Sequence, residues 1–218
     1  MSTDLFEAIK THNLNQIADL LSRGADSNAL CPDWPRWTPL HEAIEQLDED
    51  GGSIEVLVLL LRHGTSVNVW DAEHDATPLL MSLFRGQTEA ARLLLAAGAE
   101  TNVVSGEGDS PLRWCVERGD DGMAAMLLHC GATKTINSAG GSSGMTALGR
   151  AVNKLDLRII YLLLLSGADP EGLDTDRCAA YQRLPPRDDT KNYAVWLAAE
   201  ILITKNCQDV YKVKPNNL

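Results

Sequence analysis

The 218 residues carry 30 acidic against 19 basic side chains, a net charge of −11 with the histidines neutral. An excess of that size speaks against nucleic acid and anionic membrane surfaces as partners and favours something basic. No apolar run reaches the roughly 18 residues of a membrane span, and the polar opening Met1-Ser2-Thr3-Asp4 is unlike a signal peptide, so a cytoplasmic protein is expected.

In chain order, the first segment sets Leu5 ahead of Gly24-Ala25-Asp26-Ser27-Asn28, with Asp4 just before Leu5 and Glu7, Lys10, Thr11 and His12 after it. That polar set suits a terminal helix with a wet outer face. Thr38-Pro39-Leu40-His41-Glu42-Ala43 follows and leads to Gly64 and Asn68. Thr77-Pro78-Leu79 leads to Gly98 and Asn102, Ser110-Pro111-Leu112 to Gly131, and Thr146-Ala147-Leu148 to Gly167. From the hydroxyl residue to the glycine the distance is 21 residues in three copies and 26 in the Thr38 copy; from glycine to the next hydroxyl residue it is 14, 13, 12 and 15. Two packed helices must keep their length, whereas an exposed hairpin need not. Thr or Ser caps the first helix, Pro fits its first turn, and runs such as Val56–Leu61 and Ala91–Leu95 make the second helix. Each glycine closes that second helix in the left-handed region.

A Thr-Pro-Leu-His-x-Ala phrase repeating at a period near 33 resembles the ankyrin repeat family over roughly the first 172 residues. The resemblance implies an all-α ankyrin-repeat solenoid of helix-turn-helix units joined by hairpins. Only His41 keeps the histidine of the phrase; Leu80, Arg113 and Gly149 replace it, which puts the local packing of those repeats in question but not their register. Residues 1–172 make about five repeats. Residues 173–211 read as a degenerate repeat, the nonstandard C-terminal cap, with a short helix Cys178–Leu184 stopped by Pro185-Pro186 and a second near 191–205 after Asp188-Asp189-Thr190. Residues 212–218 read as a loose tail.

The chemistry-bearing motifs are weak. Gly140-Gly141-Ser142-Ser143-Gly144 matches the G-x-S-x-G nucleophile elbow, but no strand precedes it and it sits in a lengthened hairpin, so it reads as a flexible linker. The five cysteines form no C-x-x-C pair and read as small buried hydrophobes. No metal site, cofactor or catalytic set can be assembled. The Thr38 copy owes its extra length to an insertion of five residues within the segment Glu45 to Ser53, and Glu45, Asp48, Glu49, Asp50 and Glu55 read as a solvated helix turn.

In the family that the chain resembles, partners are gripped by hairpin tips and by the last exposed positions of each first helix. Carried over residue by residue, the tips comprise Trp34, Arg36 and Trp37, then Trp70, Asp71, Glu73, His74 and Asp75, then Glu107 and Asp109; the helix positions include Phe84, Arg85 and Glu117. Trp34, Trp37 and Trp70 at the tips either serve as binding anchors, with the acids steering association, or one or two of them fold back onto neighbouring hairpins. Trp114 and Trp196 lie in helices and are expected in the core. The expected function is non-catalytic binding of another protein, one that is basic, by a chain that is monomeric on its own. An inhibitor such as a toxin-neutralising immunity protein fits best, with a regulatory adaptor, scaffold or host-directed effector as the alternative.

Overall fold

The computed structural model describes residues 2–32, 36–48, 52–71, 76–187 and 193–212, and among these the side chains of residues 4–205. The chain divides into two units, Met1–Thr101 and Asn102–Leu218. Unit 1 holds helices α1 (Ser2–Lys10), α2 (Leu14–Ser22), α3 (Pro39–Glu45), α4 (Ile54–Arg62), α5 (Pro78–Phe84) and α6 (Thr88–Ala96). Unit 2 holds α7 (Pro111–Arg118), α8 (Asp121–His129), α9 (Ala147–Asn153), α10 (Leu157–Leu165) and α11 (Tyr193–Lys212), with a 3₁₀ turn at Ala180–Arg183. No strand forms among the described residues, so the fold is the all-helical repeat stack that the spacing implies.

The helices begin where the hydroxyl residues stand. Thr38, Thr77, Ser110 and Thr146 each accept the backbone N–H three residues on, and Pro39, Pro78 and Pro111 occupy the following position. Asn13, Asp120 and Asp156 do the same for α2, α8 and α10. The second helices end on left-handed glycine, as at Gly98 with φ 87°, a backbone angle that a side chain would strain.

Packing runs in two rows. In unit 1 the first helices α1, α3 and α5 contact in sequence, as do the second helices α2, α4 and α6. The interior between the rows is filled by Leu5, Ile9, Ile17, Leu40, Ile44, Leu57, Leu60, Leu79 and Leu94, all fully buried. Burial of each such side chain stabilises by about 1.5–3 kcal/mol. In unit 2, α7 packs on α9 and α8 on α10, around Leu112, Leu127, Leu148 and Leu163.

An asparagine ladder ties one repeat to the next. The side-chain oxygen of Asn28 accepts from Ser66 N at 2.7 Å and that of Asn68 from Glu100 N at 2.8 Å; in unit 2, Asn102 accepts from Lys134 N at 2.9 Å and Asn137 from Asp169 N at 2.8 Å. The same side-chain type at the same place therefore satisfies one otherwise exposed donor per step.

Beyond Glu171 the elements shorten. The expected helix at 178–184 is instead the 3₁₀ turn, which packs on α9, while α11 packs on α10. Gly149 makes room there: a Cβ at that position would touch the Arg183 stem and the Thr146 hydroxyl. Arg183 itself is held by Asp174 at 2.6 Å and Asp176 at 2.7 Å. Helix α11 starts at Tyr193 and runs past 205; Trp196, Ala199 and Ile203 are buried, and the Trp196 indole donates to Pro185 O at 2.8 Å. The capping residues expected at 188–190 and the tail from 213 lie outside the described residues.

Candidate partner-binding site

The hairpins of unit 1 are closed by main-chain bonds, Cys31 N to Trp37 O and Asp71 N to Ala76 O, both 2.8 Å. Trp37 precedes the capping Thr38, which sets its indole against the next hairpin, and there it donates Nε1–H to Asp71 Oδ2 at 2.6 Å. His41 adds a second tie, with Nδ1 at 2.8 Å from the Thr38 hydroxyl and Nε2 at 3.3 Å from Ala76 O. Trp37 is 9% exposed and Asp71 3%. The expectation that both stand out from the tips is thus corrected: a buried indole needs an acceptor and a buried carboxylate needs donors, and each supplies the other. Trp70 is 40% exposed and Arg36 is exposed, as expected of tip residues. Trp34, Glu73, His74 and Asp75 lie outside the described residues.

Next to Trp37 opens an apolar cavity of about 230 Å³, lined among the described residues by Trp37, Asp71, Ala76, Met81, Phe84 and Arg85. Helix α5 places Met81 and Phe84 three residues apart and so on one face, with Arg85 just past its end. Arg85 pairs with Glu45 and, at 3.3 Å, with Asp48. The 45–53 insertion begins as a 3₁₀ turn, Gln46–Asp48. Burial pushes the Glu45 carboxyl above its ordinary range; Arg85 pulls it back, and Glu42 and Asp48 push further up.

In unit 2 the tip residue Asp109 is also turned inward, where it pairs with the buried Arg113. Arg113 also donates to the Ser143 hydroxyl at 3.3 Å, so the residue that replaces the family histidine carries its tying role to the next hairpin. The Gly140–Gly144 segment is not a slack linker. Gly141 N donates to Glu107 O at 2.9 Å, and a Cβ at Gly140 or Gly141 would strike Gly108 or the Arg113 guanidinium. Glu107 is exposed. Glu117 is clamped by Arg150, at 2.5 and 2.6 Å, and by Lys154 at 3.4 Å, and the Arg150 hydrogen bonds hold its carboxyl below the usual range. Arg85 and Glu117, read as open contact positions, are therefore engaged within the chain.

A family model described as ankyrin repeats matches in three overlapping copies, over residues 5–105, 49–138 and 86–174. The chain belongs to the ankyrin-repeat family. A putative ankyrin repeat-containing protein of Treponema pallidum is 36% identical over 121 residues, 55% of this chain and 39% of that protein. The matched stretch is thus well under half of that relative. An ankyrin repeat domain from Acinetobacter baumannii superimposes with a TM-score of 0.76 at 24% identity, covering 93% of this chain and 97% of that one. A chain in the structure of a predatory endopeptidase from Bdellovibrio bacteriovorus in complex with an immunity protein matches with a TM-score of 0.67 at 21% identity, covering 94% and 98%. Likeness at those identities is one of fold.

Ankyrin repeats mediate protein–protein interaction, which fits the arrangement found in unit 1: packed repeats with an apolar hollow beside paired charges. Among the described residues no three His, Cys, Asp or Glu side chains are grouped to hold a metal ion, and no helix is long and apolar enough to cross a membrane. The residues of interest that reading the chain did not place at a site are Met81 in α5 and Arg113 in α7. For Arg113 a signal existed, since it stands at a position where the phrase has histidine; for Met81 none did.

Proposed function

We propose that this ankyrin-repeat chain is a non-catalytic, cytoplasmic protein that captures one basic partner protein and inhibits it, as an immunity protein neutralises a toxin. The observation that carries the reading is the apolar cavity of unit 1, walled by Trp37 and Phe84 and bordered by the Glu45–Arg85–Asp48 group. Apolar anchors in pockets dominate binding energy, and charged rims set on-rate and partner sign. The net charge of −11 adds a long-range field that favours a basic partner. The fold shared with a chain from an endopeptidase–immunity protein complex supports the inhibitory version.

Affinity capture from the native source followed by mass spectrometry tests this. One basic protein, recovered at low salt and released as salt rises, is expected. Recovery of two proteins that bind at once supports an adaptor instead, and an acidic partner contradicts the charge argument.

A further inference from the structure

The cavity beside Trp37 has properties that narrow what can enter it. At about 230 Å³ it falls below the roughly 300–1,000 Å³ of small-molecule pockets, so it has room for a single side chain. Among the described residues its lining is the indole, phenyl and thioether of Trp37, Phe84 and Met81 with Ala76, and two charged groups, Asp71 and Arg85. One side of it is held in place: Trp37 is tied through its main chain to Cys31 and through its indole to Asp71, and Asp71 is tied to Ala76. A preformed hollow of this kind spends little ordering entropy when it is filled.

The border supplies the second constraint. Arg85, in the lining, pairs with two carboxylates, Glu45 and Asp48, so that among the described residues two negative charges meet one guanidinium there, and Glu42 lies one turn back on the same helix. Partial burial and the neighbouring acids Glu42 and Asp48 outweigh Arg85 at Glu45. A second cation arriving at this border meets attraction, and an anion meets repulsion.

We infer that this hollow is a socket for one apolar side chain of the partner, with a basic residue beside it in the partner chain pairing with Glu45 and Asp48. The inference rests on the protein-binding reading above and names the part of the partner that is read. Phe84 and Met81 grip the apolar group, Trp37 is the rigid wall rather than an inserted anchor, and Arg85 orients the two carboxylates.

The probe is a capped peptide of sequence Gly-Arg-Phe-Arg-Gly, added to isotope-labelled protein and followed by two-dimensional NMR. Saturable shifts of the Trp37 indole N–H and of the Arg85 signals are expected. Gly-Arg-Ala-Arg-Gly and Gly-Glu-Phe-Glu-Gly should each bind at least about tenfold more weakly, a difference of about 1.4 kcal/mol. The paired substitution Glu45→Gln with Asp48→Asn should erase the preference of arginine over glutamate while leaving the preference of phenylalanine over alanine. Equal affinity for all three peptides, shifts confined to other regions, or no shift at millimolar peptide overturns the socket. The peptide comparison uses only the wild-type protein, so it does not depend on any variant folding. A silent socket in a protein that still inhibits a basic partner leaves the inhibitory reading standing; a responsive socket in a protein that inhibits nothing does the reverse.

Discussion

The indole of Trp37 and the carboxylate of Asp71 form one buried unit, joined at 2.6 Å across 34 residues of chain. Two side chains that the family resemblance assigns to separate hairpin tips therefore act together, as a strut between neighbouring repeats and as one wall of the cavity.

Trp37→Phe should destabilise unit 1 by about 1.5–3 kcal/mol, the usual contribution of a hydrogen bond to a charged group. Asp71→Asn, which keeps an acceptor oxygen, should cost less. Urea unfolding of both variants checks the order, and equal losses contradict the strut.

The glycine at 141 should tolerate no side chain. Its φ is 60° and a Cβ there runs into the Arg113 guanidinium, so Gly141→Ala should cost about 1–3 kcal/mol, the range for forced overpacking. Thermal melting reads this out. An unchanged melt would mean that the segment is slack after all.

Cysteine reactivity should split sharply. Burial, with the Asp120 charge adding, pushes the Cys115 thiol up to about 12, whereas Cys130 is exposed. The thiolate is the reactive form. Iodoacetamide at mildly alkaline pH should modify Cys130 in the folded protein and Cys115 only after unfolding, as mass spectrometry of the digested protein will show.

Acid should weaken the C-terminal packing through Asp174. Burial pushes this carboxyl up, but the backbone donors of Cys178 and Asp176 and the Arg183 guanidinium outweigh it and hold it below the ordinary aspartate range. A depressed folded-state value means that the stabilisation is present above the ordinary range and is lost as pH falls through the folded one. Asp174→Asn should therefore be less stable than wild type at neutral pH, with the gap closing as pH drops below the ordinary aspartate range. A gap that is constant with pH would place the effect elsewhere.

What the chain reveals by itself is what local chemistry decides. Thr38, Thr77, Ser110 and Thr146 cap helices through atoms three residues away, so repeat register, helix starts and the all-helical class are legible without any structure. The direction of the tip side chains is not, because their partners sit one repeat away. Asp71 meets Trp37 and Glu117 meets Arg150 at separations of 34 and 33 residues, and no local pattern distinguishes an acid that faces solvent from one that faces its neighbour. The Gly140–Gly144 stretch misleads for a related reason, since a glycine that yields space to Arg113 looks the same in sequence as one that confers slack. Trp196 is buried as expected, whereas Trp114 is only half-buried.

The inhibitory reading is tested most directly by titrating the captured partner's own activity with this protein, wild type and the Glu45→Gln, Asp48→Asn double variant. Loss of activity at one equivalent of wild type, with at least about tenfold more of the double variant needed at moderate salt, a difference of about 1.4 kcal/mol, is the expected result. Full activity in a complex that stays intact would contradict it.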